Sequence, residues 1–148
     1  MNKTVCIIGK CGERQYKIYP LCSLWGLGTD TNCSSYDRVF EFHGLNNKAT
    51  DKTVSPSILK YGLPLTNSIC IMLATAYNEG YRHIIIERCP MTAKEEYISQ
   101  ARAVSYICGW LVAKGVIVEW LDSHIDFNFL YQSKTATIKA LEQSSLPK

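Results

Sequence analysis

The sequence has no run of basic residues, no apolar stretch near the ~18 residues that a membrane span needs, and no pair of cysteines at CxxC spacing. Each absence excludes a class of protein. A net charge of only +3, carried by scattered Lys and Arg, argues against duplex nucleic acid as a partner. Lys3 is followed by five strand-like residues before Gly9, which is not a signal-peptide pattern, so the expectation is a cytoplasmic chain that does not engage a membrane. The seven cysteines are an odd number without CxxC spacing, which speaks against a disulfide framework and against a zinc ribbon. Cys6, Cys70 and Cys108 sit inside apolar patterns and read as small core residues in a reducing compartment, while Cys11 and Cys89 fall in loops. The signatures GxSxG, HExxH and HxE with CxxC are missing, and the three histidines (His43, His83, His124) share no repeated partner. No catalytic residue, metal ligand or cofactor is assigned on this basis.

What is present is a chain of 148 residues, 47% hydrophobic and 20% charged, long enough for one sizeable core and read as a single domain over residues 1–148. Residues 4–8 form a short apolar run with β-branched members, the pattern of a strand covered on both faces of a parallel sheet. The run stops at Gly9, and Gly9, Lys10, Cys11 and Gly12 follow before any helical pattern. The two glycines allow a sharp turn and a close ligand approach, and Lys10 and Arg14 add positive charge, so the turn suits a phosphate. The plain alternative is a strand-to-loop turn, because GKCG matches neither GxGxxG nor the P-loop.

Residues 21–26 read as a second strand ending in a Gly-rich turn, and residues 29–35 carry only turn chemistry. Residues 39–42 read as a third strand closed by His43 and Gly44. The stretch 45–65 is a long connection, either a lid or the carrier of a short helix capped by Ser55 with Pro56 at its first position. Thr66, Asn67 and Ser68 then offer caps for a helix with Ile69, Met72, Leu73, Ala76 and Tyr77 on one face and Gly80 as its stop. Residues 81–87 read as a buried strand. A long helix capped by Thr92 follows, with Tyr97, Ala101, Val104, Cys108 and Leu111 inward and Gly115 at its end, then a last strand at 116–120 and a mixed tail with helical turns.

This alternation predicts an α/β fold, a parallel sheet sandwiched between helices. Ligands of such sheets gather beyond the carboxyl ends of the strands, and a crossover helix brings its N-terminus to that same edge. The candidate ligand-binding residues are therefore Gly9, Lys10, Cys11, Gly12 and Arg14 after the first strand, Trp25 and Asn32 around the second, and Arg38 and His43 around the third. To these are added Thr66, Asn67 and Ser68 at the helix start and Glu87 and Arg88 after the fourth strand. Trp25 is read either as a stacking face for a base or as a core residue. Thr66, Asn67 and Ser68 are read as ligand donors or as a helix cap, and Glu87 as an acceptor for ribose hydroxyls or a partner for its neighbours.

The run from Tyr36 to His43, preceded by Leu24, Trp25, Gly26 and Leu27, resembles a pattern of small Rossmann-like proteins of bacteriophages, which carry a WGLN-type strand end followed by DRWFELH. Met72, Leu73 and Ala74, then Gly80 and Tyr81, are similar to their MLALA and EGY segments, and Glu96, Tyr97 and Gln100 to their EYxxQ. Two positions depart from that pattern: Pro90 stands where an acidic residue precedes Met91, and Gly28 where WGLN has Asn. The resemblance implies a Rossmann-like sandwich with a mainly parallel sheet of about five strands. It further implies a phage protein in the host cytosol that sequesters a small nucleotide immune signal, of ADP-ribose type or cyclic, in a homodimer. The alternative is an enzyme acting on a nucleotide or nucleotide-sugar, a transferase or hydrolase with His43 or Glu87 as general base.

Overall fold

The computed structural model describes residues 3–10, 22–28, 36–89, 91 and 95–121, with no account of the side chains of 95–97. Five strands, β1 (Lys3–Ile8), β2 (Cys22–Leu27), β3 (Arg38–Phe40), β4 (Tyr81–Glu87) and β5 (Ile117–Trp120), form one sheet. Their order is β3-β2-β1-β4-β5 and every pairing is parallel. The chain fills one half of the sheet outward from β1, then returns to lay β4 against the other side of β1. The point where the order reverses therefore falls between β1 and β4, which makes this a Rossmann-like α/β sandwich with helices flanking the sheet.

Strand alternation divides the apolar residues between two faces. Val5, Ile7, Trp25, Ile84, Ile86, Val118 and Trp120 share one cluster with the helices α1 (Ser68–Asn78) and α2 (Glu95–Ala113). Cys6, Ile8 and Ile85 form a smaller cluster on the other face. The central strands are apolar on both sides because both sides are buried, which is why they read as continuous runs. In α2 the inward stripe is Ala101, Val104, Ile107, Cys108 and Leu111, so Ile107 joins the four members expected from spacing within the described side chains.

The caps follow their local chemistry. Asn67 precedes α1 with extended backbone, and its side chain accepts from the Cys70 amide, leaving Thr66 and Ser68 as neighbours of the cap. The helix expected near Ser55 is a 3₁₀ helix, Pro56–Tyr61, capped by Ser55 and opened by Pro56. β3 ends earlier than expected. Glu41 and Phe42 leave the ladder because the chain at 50–51 bonds back: Thr50 and Asp51 amides donate to the Val39 carbonyl, and the Glu41 amide donates to the Asp51 carbonyl. That return segment covers the free edge of the sheet. The expected cap Thr92 and the tail beyond Leu121 lie outside the described residues.

Ile86 is fully buried between the sheet and the helices. Ile86→Ala is expected to lower unfolding stability by about 2–5 kcal/mol, read from the midpoint of a urea transition.

Candidate functional site

An all-parallel sheet sends all five carboxyl ends to one rim, and hydrogen bonds tie the described loops there into a chain. After β1, the Gly9 amide donates to the Glu87 carbonyl at 2.8 Å. A Cβ on Gly9 would lie 2.2 Å from the Arg88 carbonyl oxygen, so only glycine permits the two loops to pass this closely. Arg88 holds a left-handed backbone, φ 55°, and its guanidinium donates to the Lys10 carbonyl at 3.4 Å. The Lys10 side chain in turn lies along Gly28, where a Cβ would meet Lys10 Cε at 2.8 Å. Next to β5, the buried Trp120 indole donates to the Cys89 carbonyl at 2.8 Å and anchors the loop after β4.

The β3 end of the rim is organised by Glu41, which is 3% exposed. Its carboxylate accepts from the amides of His43 and Leu45, both at 2.7 Å, and of Asn46 at 3.3 Å. Asn46 then donates from its side chain to the Gly28 carbonyl, linking this loop to the end of β2. Burial alone pushes the Glu41 carboxyl up. The three amides, with the nearby His43, more than offset it and hold Glu41 below its ordinary value.

These contacts place the sequence-predicted residues unequally. Gly9, Lys10 and Arg88 come together at the β1–β4 switch point. Glu87 directly precedes them but is 2% exposed, and alternation directs its side chain to the face of Ile8 and Ile85, so it offers no open carboxylate. Asn67 is engaged in its cap at the start of α1, which runs antiparallel to β4 and so begins on the carboxyl side of the sheet. His43 is exposed on the loop gathered by Glu41.

Two expectations are corrected by burial and pairing. Trp25 is 1% exposed and packs against Phe40 and Tyr81, with ring centroids at 5.1 and 5.3 Å, so it is a core residue and no stacking platform. Arg38 does not reach the rim. Its guanidinium grips both Asp51 oxygens, at 3.1 and 2.6 Å, pairs with Glu79 after the end of α1, and lies 4.6 Å from the Trp25 ring centroid. The bonds to Asp51 raise the Arg38 pKa, chiefly by direct hydrogen bonding. Burial pushes Asp51 up, and the hydrogen bonds that Arg38 and the Thr50 hydroxyl each donate to it outweigh that and leave the carboxyl below its ordinary value. Cys11, Gly12, Arg14 and Asn32 lie outside the described residues.

Glu41, Asn46 and Asp51 shape this region and were not among the sequence candidates, and Gly28 entered only as a departure from the WGLN pattern. The usable signal was an acidic residue two positions before a His-Gly pair, since a buried carboxylate draws in the amides of a following turn. Among the described residues, no group of three or more His, Cys, Asp or Glu is arranged to hold a metal ion, and no helix is long and apolar enough to cross a membrane. Burial pushes the Cys108 thiol up to about 12, the neighbouring Cys70 and Cys89 adding to the effect. That thiol is a packing group.

The fold and its switch point thus define a Rossmann-like α/β protein. Compared with protein-family models, with curated proteins and with solved structures, the chain matches none of them.

Gly9→Ala is expected to force the β1 and β4 loops apart, lowering the melting temperature and shifting the amide resonances of Arg88 and Cys89. Glu41 contributes stability that is present above its unfolded pKa, near 4.5, and is lost as the pH falls through its lower folded value. Glu41→Gln is therefore expected to be less stable than the parent at neutral pH, with the gap in urea midpoint closing as the pH drops below 4.5.

Proposed function

We propose that the chain binds a small anionic metabolite of the nucleotide class at the β1–β4 switch point, without turning it over. The observation that carries this reading is the pair of cationic residues, Lys10 and Arg88, brought together beyond the carboxyl ends of β1 and β4 by the close packing of Gly9 on Arg88. Positive charge at that edge favours a phosphate, and it is the edge where ligands of parallel sheets gather. Lys10 is exposed at this edge of the sheet.

The resemblance of residues 24–27 and 36–43 to small phage proteins supports a sharper version of the same reading. In that version the ligand is an immune signal of the infected cell, an ADP-ribose derivative or a cyclic nucleotide, held in the host cytosol by a homodimer. The rim fits a holding role because its described loops are tied to one another and the carboxylates of Glu41, just after β3, and Glu87, at the end of β4, are both buried.

Native mass spectrometry of the protein taken from cells producing nucleotide signals reads stoichiometry and bound mass together. The expected result is a dimer carrying a nucleotide that denaturation returns intact; a changed nucleotide would instead identify an enzyme. Lys10→Gln and Arg88→Gln are each expected to weaken binding of the recovered nucleotide by roughly ten- to a hundredfold, the size of a lost hydrogen bond to a charged group. Unchanged affinity in both variants would move the site elsewhere.

A further inference from the structure

Away from the rim, a cleft of about 210 Å³ opens between the edge at β3, the segment 51–57 and the outer side of α1. Its floor is the Arg38 guanidinium, locked between Asp51 and Glu79. One wall is aromatic, Phe40 and Phe42 with ring centroids 6.3 Å apart. The opposite wall is the stripe Ile71, Thr75 and Asn78, which helical spacing puts on one side of α1, and the lip carries the hydroxyls of Thr53, Ser55 and Ser57.

The geometry points to a binding site for a small uncharged polyhydroxylated molecule, a monosaccharide or the ribose of a nucleoside. Charge selects this class first. Two carboxylates against one guanidinium leave the floor with a net negative charge, so a phosphate or carboxylate is repelled here, the reverse of the rim. Hydrogen bonding selects it next. Glu79 gives one carboxylate oxygen to Arg38, and its other oxygen accepts from no described group. The Thr53 hydroxyl has no partner among the described residues, while Ser57 and Asn78 already bond each other at 3.1 Å and hold their side of the cleft in shape. A ligand hydroxyl can donate to Glu79 and exchange bonds with Thr53, while the ring C–H groups rest against half-buried Phe42; Phe40, 1% exposed and covered by Arg38, only backs that wall. Size agrees as well, since 210 Å³ is below the ~300–1,000 Å³ of sites for larger ligands and equals roughly seven waters.

The test is a titration of the isotope-labelled full chain by NMR with D-ribose, D-glucose, adenosine, AMP and spermidine. Ribose, glucose or adenosine is expected to shift the amides of Thr53, Thr75 and Asn78, and the sugar and nucleoside arms tell a free sugar from a nucleoside. AMP is expected to bind there no more tightly than adenosine. Thr53→Val should weaken the effective compound by about three- to tenfold, one neutral hydrogen bond, and Glu79→Gln by roughly tenfold or more, a hydrogen bond to a charged group. Thr53→Trp, at an exposed position, should fill the cleft and abolish the shifts with the circular dichroism unchanged; should it unfold, Thr53→Val supplies the reading. The proposal is overturned if none of the three neutral compounds moves those amides, if only spermidine or AMP does, or if both Thr53→Val and Glu79→Gln leave affinity unchanged.

Discussion

The pairing of β1 with β4 is the contact on which the rest of the molecule depends. It joins residues 3–8 to residues 81–87, so the chain between them must first be closed into a long loop before any ladder bond forms. In return, β1 gains a neighbour on each side, and the two apolar runs that meet there, Val5 to Ile8 and Ile84 to Ile86, become the centre of both clusters. The same contact creates the switch point. Gly9 and Arg88 meet because the strands before them are in register to their last residues, Ile8 opposite Glu87.

Around that centre, the two halves of the sheet carry charge in opposite ways. The switch point brings Lys10 and Arg88 together beside Gly9, whereas the β3 edge holds the Arg38 guanidinium between two carboxylates. Arg38 is thereby a structural residue. It stitches the edge strand, the return segment at Asp51 and the C-terminal cap of α1, and it stacks over Trp25 and Phe40 as it does so. Glu41 works similarly one turn further on, trading the cost of burying a carboxylate for three amide bonds that shape the loop 43–46. Arg38 and Glu41 thus build the scaffold that holds the cleft and the β3 end of the rim.

Much of the fold was legible because periodicity and caps are local. The helix after Asn67, the glycine stop at Gly80, the Ser55-Pro56 helix start and the apolar strands at 4–8 and 81–87 all announce themselves within a few residues. The candidate site was legible only in part. Gly9, Lys10 and Arg88 could be picked out because they follow strands, but nothing local distinguished Trp25 as core from Trp25 as platform, since a strand-end indole faces inward or outward according to what packs on it. Arg38 was misplaced for a related reason: its partners Asp51 and Glu79 are 13 and 41 residues away in the chain.

The sequence by itself determined an α/β chain with parallel-type strands, capped helices and glycine-ended turns, because each of those is a matter of hydrophobic period and backbone freedom over short spans. Only the tertiary structure decided which turns share a rim, that Glu41 is a buried hub, and that Arg38 closes a cleft floor in place of reaching a ligand at the rim. The physical reason is that charge and burial are set by neighbours in space. A guanidinium or carboxylate carries no mark in the sequence of the partner that will neutralise it.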